Sequence, residues 1–148
     1  MRVAESVSFS LTIAYSLAFA TPAIAQNLPA KPTYEEAIRC ASYLTQLSGS
    51  KKASAGQLTD PGEISAMKAK AQQDEQQAMT WLSYSSLFGG TRDQIVADYR
   101  ADRAAFSAEL DAARARGKSG ATAYLYPIGE KCEAYEAVFG PNLSKLTG

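Results

Sequence analysis

Histidine is absent from all 148 residues. Its absence removes the usual general base near neutral pH, the commonest transition-metal ligand, the axial ligand of most haem bundles and every Ser-His-Asp arrangement. Cysteine occurs only twice, as Cys40 and Cys132. Without C-x-x-C or C-x-x-C-H spacing there is no thioredoxin-like pair and no covalent haem site, and two thiolates alone make a poor zinc site. An excess of either charge is also missing, since 15 Lys and Arg face 15 Asp and Glu. Nucleic acid is therefore not an expected partner, because binding to a phosphate backbone needs clustered cations that release counterions. The isolated pair Lys51-Lys52 reads as part of a solvated loop. There is no strand-like alternation, no internal repeat and no phosphate loop or other cofactor signature, so no cofactor is expected.

What is present begins with a three-part leader. Arg2 opens it, although Glu5 nearly cancels that charge, an apolar stretch runs from about Val7 to Ala20, and Thr21-Pro22-Ala23-Ile24-Ala25 follows. Small residues at Ala23 and Ala25 suit a signal peptidase, so residues 1–25 are expected to be a signal peptide cut after Ala25. Ser8, Ser10, Thr12 and Ser16 dilute the segment below what a spanning helix of about 20 apolar residues requires. No apolar run after residue 26 is long enough to span either. The expected product, 26–148, is one domain in the periplasm or secreted, with zero formal net charge because the leader removes one base and one acid. In that oxidising setting Cys40 and Cys132 are expected to form a disulfide. Closing a loop of roughly 90 residues restricts the unfolded chain by on the order of 4–5 kcal/mol. Asn142-Leu143-Ser144 matches a glycosylation sequon of eukaryotic secretory pathways, whereas the alanine-rich cleavage region fits a bacterial envelope better.

The pattern past the leader is all-α. Residues 26–32, with Pro29 and Pro32, read as an extended leader to the first helix. Thr33 and Glu36 form a T-x-x-E capping box, and Ala37, Cys40, Ala41, Leu44 and Leu47 then share one helical face. A stop is expected near Ser48-Gly49, with 51–58 as a loop. Asp60 and Glu63 form a second expected capping box, with Pro61 at the first helical position, and start the second helix, whose inward stripe is Ile64, Met67, Ala71, Ala78, Trp81, Leu82 and Ser85. The run Gln72 to Gln77 between them reads as surface. Gly89-Gly90 ends that helix, and Thr91 with Gln94 makes a third expected capping box, opening a helix that carries Ile95, Val96, Tyr99, Phe106, Leu110 and Ala113 inward. A last helical region from about 121 to 139 is expected to kink or restart at Pro127 and to stop at Gly140-Pro141, leaving 140–148 as a frayed tail. The expected architecture is a small four-helix bundle, or three helices plus a kinked C-terminal one, with a single disulfide clamping the first helix to the last. The short turn at Gly89-Gly90 suggests that the second and third helices form an antiparallel hairpin, with Asp74 or Glu75 paired to Arg103 across it.

Two clusters invite functional readings. Asp74, Glu75, Asp102 and Glu109 are carboxylates of the kind that do acid-base work or hold a di-metal centre, but charge runs on helices are usually solvated faces, and di-iron bundles need Glu-x-x-His. Trp81, Tyr84, Phe88, Tyr124 and Tyr126 offer a contact patch for another protein, although helical spacing predicts burial first. The leading expectation is an exported, non-catalytic helical protein acting by contact with another envelope or extracellular protein, as a binding module, an inhibitor or an envelope stress helper. The alternatives are a carrier of a small apolar ligand held near Trp81, Tyr99 and Phe106, and a carboxylate-based envelope enzyme.

Overall fold

The computed structural model describes residues 31–146, with side chains as far as Phe139. The expected signal peptide, its cut and residues 26–30 of the leader lie outside these residues. Four helices follow in order, α1 Tyr34–Ala55, α2 Pro61–Ser85, α3 Arg92–Ala115 and α4 Lys118–Leu146, with a 3₁₀ turn at Ser86–Phe88. No strand occurs among the described residues. The chain is a small all-α bundle with one disulfide, Cys40–Cys132, whose Cα atoms lie 5.6 Å apart.

Local chemistry accounts for the helix starts. The Thr33 hydroxyl accepts the Glu36 N–H at 3.2 Å while Glu36 accepts the Thr33 N–H at 2.8 Å, closing the capping box. Asp60 accepts the N–H of Glu63 at 2.8 Å, with Pro61 opening the helix, and Thr91 accepts that of Gln94 at 3.2 Å. The capping boxes expected at these two sites do not close, for the cap works alone, without the reciprocal bond from the third helical residue's side chain. Between α2 and α3, Gly89 adopts φ 83°, a left-handed conformation that a side chain would strain.

The ends depart from the pattern read in the sequence. α1 continues through Ser48-Gly49 to Ala55, because Ser48 and Ala55 are buried and Lys51 and Lys52 reach across to α2. Gly49 is exposed, with nothing near the space a Cβ would fill, so it costs the helix only its intrinsic propensity. Pro32 is fully buried, so the end of the expected extended leader is packed against the bundle. α4 runs as one helix through both Pro127 and Gly140-Pro141, and 140–146 is helical where a frayed tail was expected. Proline at 127 removes a bond to the carbonyl of Ala123, and both residues sit on the exposed side of the helix, where water can take that acceptor.

α1 is the central element and packs against each of the other three. It runs antiparallel to α2, as the pairs Lys51–Asp74 near one end and Tyr34–Phe88 near the other require. α3 and α4 form the second hairpin, with Phe106 against Tyr124. The expected α2–α3 hairpin does not form, since these helices make at most marginal contact. A short turn limits the distance between helix ends but does not choose the partner, and the chain leaves Gly89 to lay Ile95 and Tyr99 beside α1. The main core joins Ala37, Cys40, Ala41 and Leu44 of α1 to Ala78, Trp81 and Tyr84 of α2 and to Cys132 and Tyr135 of α4.

Candidate functional site

The carboxylates read from the sequence are brought to α1, not to one another. Asp74 is 6 % exposed and accepts from Lys51 Nζ at 2.6 Å, and Glu75 pairs with Lys52. Neither meets Arg103, which lies over the Tyr99 ring with its guanidinium carbon 5.9 Å from the centroid. The expected ion pair across α2 and α3 is thus replaced by two lysines of the extended α1. The other two carboxylates converge on Arg39. Its Nε is 3.2 Å from Asp102, and one terminal nitrogen is 3.2 Å from Glu109 and donates to the Tyr124 hydroxyl at 3.3 Å. Tyr124 in turn donates to Glu109 at 2.7 Å, and the guanidinium lies 5.5 Å from the Phe106 ring centroid.

This geometry decides what the groups can do. The hydrogen bond from Tyr124 and the charge of Arg39 hold the Glu109 carboxyl below its ordinary range. Burial and the same bond push the Tyr124 phenol up to about 12. Lys52 likewise holds Glu75 down. A carboxylate kept ionised by a cation is a poor proton donor, and a phenol held neutral is a poor base, so the network resembles a tie between three helices more than an acid-base pair.

A second tie joins α1 to α4. Glu36 receives Lys131, the Thr33 N–H and the Tyr135 hydroxyl at 2.8 Å. Burial works against its charge, but these donors outweigh burial and lower the Glu36 pKa. Glu136 behaves oppositely. Burial dominates there and raises its pKa, even though Trp81 Nε1 donates to it at 3.1 Å and Gln77 at 3.3 Å. Tyr34 donates to Asp98 at 2.7 Å, and burial and that bond push its phenol up to about 12.

The expected aromatic patch is dispersed. Trp81 is 1 % exposed and packs edge-on to Tyr84 and Tyr135 in the core. Phe88 is partly exposed but lies against Tyr34 and Tyr84, and Tyr124 is half-buried against Phe106. Trp81, Tyr99 and Phe106, expected to surround a ligand, also divide: Trp81 packs among α2 and α4 rings, Phe106 meets Tyr124, and the Tyr99 hydroxyl lies 2.6 Å from that of Thr45. Tyr126 alone remains well out in solvent, at 61 %.

Around Tyr126 the surface is concave. A groove of about 270 Å³ lies between α1 and α4, with Tyr43 and Leu47 on one wall, Leu125, Tyr126 and Gly129 on the other, and Glu130 and Glu133 at its edge. Gly129 makes the close wall possible, since a Cβ there would stand 2.5 Å from the Tyr43 hydroxyl oxygen. A neighbouring hollow of about 270 Å³ lies over the disulfide between Glu36, Arg39, Ile128 and Lys131, and a wider one of about 510 Å³ lies at the α3–α4 turn beside Arg114 and Lys118. No group of His, Cys, Asp and Glu placed to hold a metal ion occurs among the described residues. None of Tyr43, Leu47, Glu130 and Glu133 reads as a functional residue in the sequence, where Leu47 falls on the apolar face of the first helix. Their one local signal was the i, i+4 and i+3 spacing of Tyr126, Glu130 and Glu133 along α4. No protein-family model matches the chain, and no curated protein or solved structure matches it either.

Proposed function

We propose that this chain is an exported, disulfide-clamped helical protein that works by contact with another envelope or extracellular protein, without catalysing a reaction. One observation carries this reading: the four carboxylates singled out in the sequence are committed to ties between helices, whereas the α1–α4 groove presents an exposed aromatic. Asp74, Glu75, Asp102 and Glu109 each face a cation of α1. Tyr126, by contrast, stands exposed at a mostly apolar concavity. Aromatic side chains of this kind supply contact area at low entropic cost, which is why they recur at the centres of protein interfaces.

Export rests on the leader read in the sequence and on the buried Cys40–Cys132 bond, which a reducing cytoplasm would not favour. No described helix is long and apolar enough to cross a membrane. The groove's volume, about 270 Å³, falls just below the roughly 300–1,000 Å³ usual for small-molecule sites and suits one or two anchoring side chains.

Replacing Tyr126 by a photo-cross-linking phenylalanine analogue in cells that make the protein tests this. The expected outcome is a discrete adduct to one envelope protein that does not form when the analogue replaces Met79, an exposed residue of α2. Identical products from both positions, or none from Tyr126, would remove the groove as the working surface.

A further inference from the structure

The groove's rim carries charge of a single sign, and its walls carry almost none. Along α4 the groove extends from Thr122 to Glu133, about three turns or roughly 16 Å. Glu130 and Glu133 border it, no Lys or Arg lines it, and neither glutamate is paired with a cation among the described residues. This sets them apart from Glu36, Asp74, Glu75, Asp102 and Glu109, all of which are paired. Both walls are helices, whose backbone groups are satisfied internally, so the groove offers no strand edge for an extended peptide to hydrogen-bond along. A helix, whose backbone bonds are made internally, suits such a groove, and its apolar face can meet the apolar walls.

Resting on the contact reading above, we infer that the groove takes a basic amphipathic helix of a partner protein, with apolar side chains between Tyr43, Leu47, Leu125 and Tyr126 and Lys or Arg against Glu130 and Glu133. The Tyr126 ring beside Glu130 suits the same cation, since a ring face and a carboxylate attract it together. Hydrogen bonding with Glu130 and the nearness of its charge raise the Tyr126 phenol's pKa, so the two side chains lie within reach of one cation. Like charges on an acidic partner would meet the two glutamates and be rejected, so the pair selects as well as attracts.

The probe is a fluorescein-labelled peptide of about 14 residues, built from Leu, Ala and Lys in amphipathic order, with a second peptide carrying Glu in place of each Lys. Anisotropy titration of the oxidised full chain should show the Lys peptide binding at least about tenfold more tightly than the Glu peptide, an advantage that shrinks with added salt. Glu130→Lys with Glu133→Lys should reverse that preference, and Tyr126→Ala should weaken both peptides several-fold. Circular dichroism of the variants checks that the exposed substitutions leave the fold intact. Equal affinity for both peptides, or a Lys-peptide affinity unmoved by charge reversal, overturns the inference. Binding of neither peptide also overturns it, yet a specific Tyr126 adduct would still leave the contact reading standing. A concentration-dependent dimer in sedimentation that the Lys peptide does not dissociate would assign the groove to a second copy of the chain and overturn it too.

Discussion

The two sides of α1 hold their neighbours by different physics. Toward α2 and α4 it presents Ala37, Cys40, Ala41 and Leu44, small and apolar residues that let Trp81, Tyr84 and Tyr135 close over them, and a covalent bond fixes the contact. Toward α3 it presents Tyr34, Arg39 and Thr45, which reach Asp98, Asp102, Glu109 and Tyr99 through polar bonds of 2.6–3.2 Å. The first side gains most of its stability from area removed from water, which responds little to pH, with the ion pairs Glu36–Lys131 and Lys51–Asp74 at its margins. The second depends mainly on charges that must stay ionised, so it is the side that acid reaches most.

The largest break should come from the apolar side. Replacing Cys40 and Cys132 by Ala opens a cross-link spanning 92 residues, and chemical denaturation is expected to show a loss of about 4–5 kcal/mol. Trp81→Ala should follow at about 3–5 kcal/mol, since it empties a fully buried ring site and leaves Glu136 without its indole donor. On the polar side, Arg39→Ala should cost about 2 kcal/mol, because Asp102 and Glu109 lose their shared cation. A loss as large as that of Trp81 would mean that the two sides do not differ as described.

Acid sharpens the same contrast. Glu36 and Glu109 have folded-state pKa values below the ordinary 4.5, so their contribution is present above that value and is lost as pH falls through the lowered folded values. Glu136, raised by burial, acts with the opposite sign and relaxes as it is protonated. The thermal midpoint should therefore decline on the acid side of about 4.5, and Glu109→Gln, which removes a lowered carboxylate from the α3 side, should flatten that decline. The smallest effect is expected at the exposed pair Lys52–Glu75, where Lys52→Ala should leave the thermal midpoint unchanged.

Much of this was legible before any coordinates. Thr33, Asp60 and Thr91 announce their helices because a cap is a local device, satisfied within three residues. The disulfide was legible because the chain offers only one possible pairing. Gly49 misled because Lys51, Lys52 and Ala55 give α1 reasons to continue past it, and Pro127 misled because the carbonyl it leaves unbonded lies on the exposed side of α4. The polar ties were not legible, since Arg39 finds Asp102 and Glu109 some 60 to 70 residues away, through a hairpin choice that local spacing does not encode. The groove was hidden for the same reason: Tyr43 lies three residues after Cys40 and Gly129 three before Cys132, and only the antiparallel crossing of α1 and α4 brings them together.

That crossing makes the clamp the premise of the whole account, for the groove's walls are the segments the disulfide joins. Intact-mass analysis of the natural product, alkylated without prior reduction, tests it most directly. The account predicts a chain beginning at Gln26 with neither Cys40 nor Cys132 alkylated. A chain that retains Met1, or one carrying two alkyl groups, would contradict it.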